Sequence, residues 1–424
     1  MGAPRSSRRP RPRPGAPVTR MPELVAEVAR GLGARLPVLC DVAADLHAHP
    51  EIRFTEHHAA QRLTDELDRA GFAVTRGFAG LDTAFVGRWS TPGAAPDAPT
   101  VAIFCEYDAL EEIGHACGHN LIAAFGLGAA MLLRDALLAA PGTDAHVVVI
   151  GSPGEEGAAG KVPMIEGGVL DGIDVAIMAH PADLDAVGGT SLSRIALDVE
   201  FEGRAAHAAN DPADGVNALD AATLSLNAIG LLRQQLPDAV RVHAIVTDGG
   251  QAPNIIPEHT ALRCFVRDVD QDRLLANIVP RVRRCFEAGA LATGCTVTIE
   301  ERTPPYHSMR PDPVLADVAA AAFAAVGRVP QPQEVMAGST DMGNVSRIVP
   351  AIHPMVCLEP GVHPHTREFA AAAAGPNAEK TIADGAVILA ATALAVFRDP
   401  SLRDAAVAGF GIERRPVDDP DTPV

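Results

Sequence analysis

The pattern of apolar and polar positions divides the chain into three blocks. In the first block, residues 21–188, helix-like segments alternate with the short apolar runs TVAIFCEY, HVVVIGS and VAIMAH, which have the length of buried strands. Alternation of strands and helices is typical of a mostly parallel sheet covered by helices. The first block is therefore predicted to be part of an α/β domain.

The second block, residues 189–303, has a different pattern. It contains a strand (RIALDVEFEG), an amphipathic helix, two further strands, a second helix and a last strand (TVTIEER). The order βαββαβ is that of the split βαβ, or ferredoxin-like, arrangement. Residues 304–400 then return to the pattern of the first block. The sequence predicts an α/β domain, 21–188 and 304–400, interrupted by an α+β domain, and the cleft between the two is a natural ligand site.

Composition agrees with a protein of two globular domains. Of the 424 residues, 47% are hydrophobic and 21% are charged, and no uninterrupted apolar run reaches the roughly 18 residues that suggest a membrane span. Residues 1–20 are rich in Arg and Pro and are predicted to be a disordered tail, and residues 401–424 a frayed end. Residues 1–20 lack the hydrophobic segment of a secretory signal. The expected location is therefore cytoplasmic, and no membrane partner is expected.

Charge and cysteine content narrow the function classes further. The formal net charge of -18 argues against a nucleic-acid partner, because a phosphate backbone would be repelled. The seven cysteines are odd in number and scattered, unlike the dense pairs of a secreted disulfide scaffold. Reduced thiols are therefore expected.

The first candidate site is the stretch GHACGHN, residues 114–120, between an apolar strand and a long apolar helix. Cys117 and His119 are two residues apart, and Gly118 between them allows a backbone that brings both side chains to one ion. Alone the pair is weak evidence: a buried small residue beside a helix-capping histidine, or a thiol nucleophile, fits it as well.

Three other segments carry similar chemistry at the ends of predicted strands. Glu155 and Glu156 follow HVVVIGS, so that one carboxylate can bind a metal while its neighbour serves as general base, although a solvated acidic loop is the usual meaning of such a pair. His180 ends VAIMAH, where a lone histidine is more often an edge residue. GVHPHTREF contributes His363 and His365. Cysteine, histidine and glutamate ligands from four elements of one domain suit two borderline metal ions that share a water.

Seven motifs, in this order, resemble one enzyme family. DLHAHPEIRFTE, EYDALEEIGHACGHN, GSPGEEG, GRAAHAA, APNIIPE, GSTDMGNVS and HTREF are similar to the zinc-dependent aminoacylase/carboxypeptidase-like amidohydrolases, in the branch of p-aminobenzoyl-glutamate hydrolase, aminoacyl-auxin hydrolases and aminoacylase-1-like dipeptidases. The resemblance covers about residues 21–398. It implies a dinuclear-metal catalytic domain interrupted by a ferredoxin-like lid that often dimerises.

The resemblance also implies roles for individual residues. It makes Glu155 the general base and Asp108 a support for one ligand, and Glu106 occupies the place of a metal-binding histidine of more distant relatives. His365 is preferred to His363 because it begins the matching motif. The implied metal ligands are Cys117, His119, Glu156, His180 and His365. Zinc, two ions per chain, is the implied cofactor, with manganese or cobalt as alternatives.

The implied substrate contacts come from the lid and from one loop. His207 would stabilise the developing oxyanion, commonly from the partner subunit of a homodimer. Asn254 would line the cleft, and Arg267 would hold a substrate carboxylate, unless it is a surface arginine paired with Asp268 or Asp270. Ser339 and Asp341 would contact substrate or position His365. The four histidines of the first motif and its neighbour EHHAA are not expected to bind metal: His47, His49, His57 and His58.

The leading hypothesis is a metal-dependent amidohydrolase that releases an amino acid with a free carboxylate from an N-acyl amino acid, an N-aroyl amino acid or a small dipeptide. A cysteine hydrolase with Cys117 as nucleophile is the second hypothesis, but it leaves the carboxylates and two histidines without a role. A non-catalytic relative that binds a small molecule is the third, and it would be favoured by a missing ligand or base.

Overall fold

The central sheet of the protein has six strands. The computed structural model describes residues 20–332, 335–336 and 338–410. The six strands are β1 (Ala73–Phe78), β2 (Leu81–Ser90), β3 (Thr100–Cys105), β4 (His146–Gly151), β5 (Val175–Ile177) and β13 (Ala351–Ile352). They lie in the order β1-β2-β4-β3-β5-β13.

The direction of the strands differs from the prediction at one edge of this sheet. The pairings of β4 with β3, β3 with β5, and β5 with β13 are parallel. The pairings of β1 with β2 and β2 with β4 are antiparallel, so the sheet is mixed. The sequence AVTRGF of the half-exposed strand β1 has no apolar run or clean alternation that could have predicted it. The expected parallel order holds for the four strands at the other side.

Helices cover both faces of the central sheet and connect its strands. In chain order the helices are α1 (Met21–Ala29), α2 (Leu32–Ala48), α3 (His57–Arg69), α4 (His119–Ala139), α5 (Glu155–Ala158), α6 (Lys161–Glu166), α7 (Ala218–Leu232), α8 (Gln271–Arg273), α9 (Val279–Thr293), α10 (Pro313–Ala325), α11 (Met342–Val345), α12 (Arg367–Ala372), α13 (Ala378–Arg398) and α14 (Pro400–Ala408).

Alternate residues of the inner strands point into two separate cores. Val101 and Ile103 of β3 belong to the core formed with α2, α4 and α13. Ala102 and Phe104 belong to the core on the opposite face, which contains Met164 of α6 and residues of α11. Burial on both faces explains why these strands are unbroken apolar runs in the sequence.

Two helices of the first core resemble membrane spans in length and composition. They are α4 and α13, and 83% of the apolar window of each is buried inside the fold. The two helices pack against each other and account for much of the first core. Their apolar character is thus explained by packing within the protein.

The block that interrupts the α/β pattern forms a sheet of its own. Its strands are β8 (Ser193–Glu202), β9 (Arg241–Asp248), β10 (His259–Asp268) and β11 (Thr296–Glu301). Their order is β11-β8-β10-β9, and every pairing is antiparallel. Helices α7 and α9 pack on one face, and a π-helical turn, Leu274–Ile278, joins α8 to α9.

A small third sheet lies beside the central one. It consists of β6 (His180–Ala182), β7 (Ala186–Val187), β12 (Gln331–Pro332) and β14 (Met355–Cys357), in the order β12-β7-β14-β6. Strand β6 begins at His180, so this sheet fixes the backbone of one candidate metal ligand.

The two predicted tails are only partly within the described residues. Of the predicted N-terminal tail, only Arg20 is among the described residues. Residues 411–424 of the predicted C-terminal tail also lie outside the described residues. The start of the expected C-terminal tail differs from the prediction, because residues 400–408 form α14. Asp399 caps this helix by accepting a hydrogen bond from the Ser401 amide at 2.8 Å, and Ala406 is buried.

Close packing of α4 on β3 gives a first testable prediction. A Cβ atom added at Gly126 would lie 2.8 Å from the Phe104 carbonyl oxygen and would also overlap Cys105 Sγ. We expect Gly126→Ala to lower the apparent free energy of unfolding by about 1–3 kcal/mol, since the backbone carbonyl cannot move aside. Urea unfolding followed by circular dichroism measures this change.

Gly33→Ala is the matched control, because a Cβ atom at Gly33 in the neighbouring helix α2 meets no atom within 4 Å. We expect it to change stability by less than about 0.5 kcal/mol. Equal losses in the two variants would contradict the proposed close contact.

Candidate metal centre

The loop before α4 brings a thiol and an imidazole to the end of β3. Gly118 has φ +77°, a left-handed conformation, and a Cβ atom there would lie 2.5 Å from Pro181 Cγ. Glycine is therefore required where the loop turns into the helix. His119 is fully buried and Cys117 is 7% exposed. The loop thus holds both side chains inside the protein.

Asp108 joins this loop to the loop after β4. One of its carboxylate oxygens lies 3.0 Å from His119 Nδ1, and the other accepts a hydrogen bond from the Glu156 amide at 2.8 Å. Because a carboxylate accepts only, Nδ1 of His119 carries a proton, and Nε2 is the ring nitrogen that faces the other candidate ligands. That Nε2 atom is buried and has no hydrogen-bond partner among the described residues.

The five predicted ligands lie together around Cys117. Its Sγ atom is 3.4 Å from His180 Nε2 and 3.3 Å from His365 Nε2. Glu156 Oε1 is 3.2 Å from His365 Nε2 and 3.9 Å from His119 Nε2. The donor atoms of Cys117, His119 and His180 are within 4.8 Å of one another, as are those of Cys117, Glu156 and His365. Two ligand sets that share the thiol are suited to two neighbouring ions.

The two candidate histidine ligands from outside these loops, His180 and His365, are positioned by backbone contacts. His180 Nδ1 donates to the Pro181 carbonyl at 2.6 Å, which leaves Nε2 directed at Cys117. His365 has φ +67°, rare for a residue with a side chain, and its amide donates to the Ala116 carbonyl at 2.8 Å. His363, by contrast, pairs with Asp183 at 3.0 Å. The position of His365, and not that of His363, matches the cluster.

The adjacent glutamates have opposite electrostatic environments. Burial, together with the charges of Glu106 and Glu156, raises the pKa of Glu155 well above its usual value. Burial would also raise the pKa of Glu156, but the hydrogen bond from His365 and the charge of His119 lower it to about 2. Such a divided pair suits one carboxylate that transfers protons and one that remains an anionic ligand.

A buried lysine, which sequence reasoning missed, neutralises the acidic interior behind the cluster. Lys161 Nζ is fully buried, donates to Asp341 Oδ1 at 2.6 Å and also donates to Glu106. The other Asp341 oxygen accepts from the Lys161 amide at 3.0 Å. Asp341 is thus engaged with Lys161. The expectation that it positions His365 is not supported by any contact within the described residues.

Two further residues near the cluster had no signal in the sequence. Tyr306 donates from its hydroxyl to the Glu155 carbonyl at 2.6 Å and accepts from the Ala159 amide at 2.8 Å. His353 is 6% exposed, its ring centroid is 5.7 Å from that of His180, and neither ring nitrogen has a partner among the described residues. Pairs so far apart in sequence have no local spacing that could reveal them.

The remaining predicted residues do not join the cluster. His207 and Asn254 are exposed neighbours in the inserted block, linked by a hydrogen bond from the Ala208 amide to the Asn254 carbonyl at 3.0 Å. Within the described residues, neither contacts the candidate metal ligands. Ser339 is half-buried, and its hydroxyl has no partner in the described range.

Arg267 is not the paired surface arginine of the alternative interpretation. Asp268 forms its ion pair with Arg273 at 2.7 Å, and Asp270 caps the start of α8. The guanidinium of Arg267 instead lies 5.8 Å from the Phe265 ring centroid. Arg267 is therefore a half-buried arginine beside an aromatic ring on the sheet.

Comparison with known proteins places this geometry in a family. The model of "Peptidase family M20/M25/M40" matches residues 96–395. Xaa-Arg dipeptidase of Mus musculus is 39% identical over 395 residues, which are 90% of this chain and 89% of that protein. One of the p-aminobenzoyl-glutamate hydrolase chains of Escherichia coli is 34% identical over 276 residues, 61% of this chain and 56% of that protein.

Solved structures agree on the fold. A dinuclear metal binding peptidase of the M20 family from Bacillus subtilis has a TM-score of 0.65 at 21% identity, covering 86% of this chain and 99% of that one. The family resemblance inferred from the seven motifs is confirmed. The motifs, the fold and these relatives together show that the chain belongs to peptidase family M20/M25/M40 and is a hydrolase.

Proposed function

We propose that the protein hydrolyses the amide bond of small dipeptides, or of N-acyl and N-aroyl amino acids, with two metal ions held by the five-ligand cluster. The observation that carries this proposal is the convergence of the five donor side chains on Cys117, with His119 Nε2 buried and without a hydrogen-bond partner among the described residues. Burial of unpartnered polar atoms is costly, and a cation is what such a donor set lacks.

The donor chemistry favours zinc. A thiolate and three imidazoles are borderline to soft ligands, which suit zinc better than magnesium or calcium, whereas manganese and cobalt are the alternatives. Burial raises the pKa of the Cys117 thiol well above its usual value, and a bound cation would reverse this shift. The ions, when bound, would activate water and polarise the amide carbonyl.

Glu155 is the proposed proton carrier. It would take a proton from the attacking water as the new carbon–oxygen bond forms and deliver that proton to the nitrogen as the carbon–nitrogen bond breaks. Tyr306 and Ala159 hold its backbone in place through the hydroxyl of Tyr306. The cysteine-nucleophile alternative is disfavoured, since Cys117 is surrounded by ligand groups and the relatives are dipeptidases and hydrolases of this family.

The proposed substrate is a dipeptide with a basic C-terminal residue. This choice rests on the similarity to an Xaa-Arg dipeptidase along nearly the whole chain. The shorter match to a p-aminobenzoyl-glutamate hydrolase chain supports N-aroyl glutamates as the second class. Both classes share an amide bond next to a residue with a free carboxylate.

His207 is proposed to act on the active site of a partner subunit. Its Nδ1 accepts hydrogen bonds from the Asn210 and Ala209 amides at 3.1 and 3.3 Å, so the proton is on the exposed Nε2. That N–H is available to donate to a developing oxyanion. The side chain is exposed in its own chain, as expected for a group that completes a neighbour's site.

Residues 189–303 are proposed to be a lid and dimerisation domain. β9 is at the edge of its sheet, and Ile245 on it is 61% exposed, as is Leu231 on α7 at 76%. An apolar edge strand is a template for pairing with a second chain. A homodimer built there would bring copies of this block together.

All seven cysteines are free in the described residues, which supports the proposed cytoplasmic location.

Metal content tests the cluster directly. We expect purified protein to bind close to two zinc ions per chain, and Cys117→Ala to lose most of this metal, because both ligand sets share the thiol. Plasma mass spectrometry after dialysis measures the content. Cys40→Ala, which removes a half-buried thiol on α2, is the control and should retain the wild-type content. Full metal content in Cys117→Ala would refute the shared-ligand arrangement.

Hydrolysis tests the function. We expect metal-loaded enzyme to release arginine from Ala-Arg, and Glu155→Gln to lower kcat by roughly 10²–10⁴-fold, since an amide cannot carry the proton. Amino-acid analysis measures the product, with p-aminobenzoyl-glutamate as the second substrate. Glu166→Gln, an exposed carboxylate at the end of α6, should leave kcat unchanged. Wild-type activity in Glu155→Gln would exclude the proposed role.

Mixing two inactive variants tests the role of His207 across the dimer. Glu155→Gln and His207→Ala chains should each be inactive alone. After unfolding and refolding together, mixed dimers contain one complete site, so about a quarter of the wild-type activity should return. Activity assays on the separated and mixed proteins measure the recovery. If mixing restores nothing while size-exclusion chromatography shows dimers, His207 acts within its own chain or has no role.

A further inference from the structure

The loop that carries the proposed general base is held by side chains from other elements. Asp108, which follows β3, accepts a hydrogen bond from the Glu156 amide at 2.8 Å. Tyr306, which follows β11, donates from its hydroxyl to the Glu155 carbonyl at 2.6 Å. The amide of the preceding residue, Gly154, is held in the same way by a third side chain, a carboxylate just before α3. Three consecutive residues therefore each have one backbone group bound from outside the loop.

The third side chain is that of Glu56, which is fully buried. One of its oxygens accepts from the Gly154 amide at 2.9 Å, and the other accepts from the Thr83 hydroxyl of β2, also at 2.9 Å. Gly154 and Thr83 are buried as well. Both carboxylate oxygens are thus bound to groups of the protein, and the side chain has no surface at which it could touch substrate.

A carboxyl group at this position is costly. Burial, together with the charge of Asp108, raises the pKa of Glu56 to about 7, because both disfavour the ionised form. An apolar side chain of similar size would avoid this cost, but it would leave the buried Gly154 amide without its acceptor. The hydrogen bond to Gly154 is therefore the contribution that distinguishes Glu56 from an apolar residue.

The backbone at Gly154 is unusual and closely packed. Gly154 has φ +66°, a left-handed conformation, and a Cβ atom there would lie 2.8 Å from Cε1 of Phe54. Phe54 itself has φ +63°, which is rare for a residue with a side chain. Residues 54–56 thus contact the residue before the proposed general base twice, through an aromatic ring and through a carboxylate.

The segment that presents Glu56 is anchored at its other end to the loop after β3. The Ala109 amide donates to the Glu51 carbonyl at 2.7 Å. The Glu51 carboxylate in turn accepts from the His58 and Ala59 amides at 3.0 Å each, at the start of α3. Because residues 51–56 are fixed at both ends, Glu56 is a rigid acceptor for the Gly154 amide.

We propose that Glu56 is a positioning residue for the general base: its carboxyl group holds Gly154 and thereby sets the direction in which the Glu155 side chain leaves the loop. This inference rests on the proposed function. Proton transfer depends steeply on the distance and angle between the general base and the attacking water. Since Glu56 is buried away from substrate, its loss should lower kcat and leave KM and the metal content unchanged.

The test compares two side chains of similar length that differ in hydrogen bonding. Glu56→Gln keeps an oxygen that can accept from the Gly154 amide, whereas Glu56→Met fills the space without an effective acceptor. We expect Glu56→Met to lower kcat for Ala-Arg roughly 10–100-fold, with KM within about twofold of wild type, because the base is displaced but substrate binding is not changed. Its zinc content should stay at the wild-type level. Glu56→Gln should recover most of the lost kcat.

Hydrogen exchange measures the contact independently of activity. Mass spectrometry of peptides that contain Gly154 should show faster amide exchange in Glu56→Met than in wild type, because the amide has lost its acceptor. Glu56→Gln should exchange at close to the wild-type rate.

Glu66→Met is the matched control, because Glu66 on α3 is also a buried carboxylate but is paired with Arg69 at 2.6 Å. It should keep wild-type kcat and wild-type exchange at Gly154. If Glu56→Met does not fold, Glu56→Asp takes its place: it keeps the carboxylate but is shorter by one methylene, and it should also lower kcat and speed exchange.

The inference is overturned if Glu56→Met keeps wild-type kcat, if Glu66→Met loses kcat equally, if metal is lost together with kcat, or if Glu56→Gln recovers nothing. Failure of the proposed function would look different. Wild type would then hydrolyse neither Ala-Arg nor p-aminobenzoyl-glutamate, while exchange at Gly154 would still depend on Glu56.

Discussion

The candidate site depends on one carboxylate that binds two loops at once. β3 and β4 are parallel neighbours, so the loops that follow them leave the same edge of the sheet. Asp108 accepts from the His119 imidazole with one oxygen and from the Glu156 amide with the other. This double contact sets the imidazole tautomer and the distance between two proposed ligands. The other two histidines of the cluster, His180 on β6 and His365, are then placed against a fixed pair of side chains.

The concentration of acids behind this pair requires a compensating charge. Glu106, Glu155 and Asp341 lie in a buried region, where like charges would repel strongly and favour protonation. Lys161 supplies a buried cation between Glu106 and Asp341, and their charges raise its pKa above the usual value despite burial. From the family resemblance, Glu106 is expected to occupy the place of a metal-binding histidine of more distant relatives. Its bond to Lys161 explains how a carboxylate can occupy that place without joining the five-ligand cluster.

The sequence revealed the parts of the site that follow strand ends, and it missed the parts that depend on distant contacts. Glu156 and His180 follow apolar runs and Cys117 lies in the loop between an apolar strand and an apolar helix, so the apolar pattern predicted one edge of the sheet for them, and the motif resemblance implied their roles. Lys161 and Tyr306 contact their partners across 55 to 180 residues, and nothing in their local spacing indicates a role. The polar edge strand β1 was missed for a related reason: its pairing with β2, and not its own pattern, makes it a strand.

The division of groups between the two parts of the chain has a consequence for catalysis. The candidate metal ligands and Glu155 lie on the α/β part, whereas Arg194 of the inserted sheet stacks on Tyr306, whose hydroxyl donates to the Glu155 carbonyl. A ligand that contacts both parts would favour the arrangement in which they are close. The proposed oxyanion donor, His207, is exposed in the same block and away from the cluster. A donor that does not contact the cluster of its own chain is consistent with the proposed action of His207 on the site of a partner subunit.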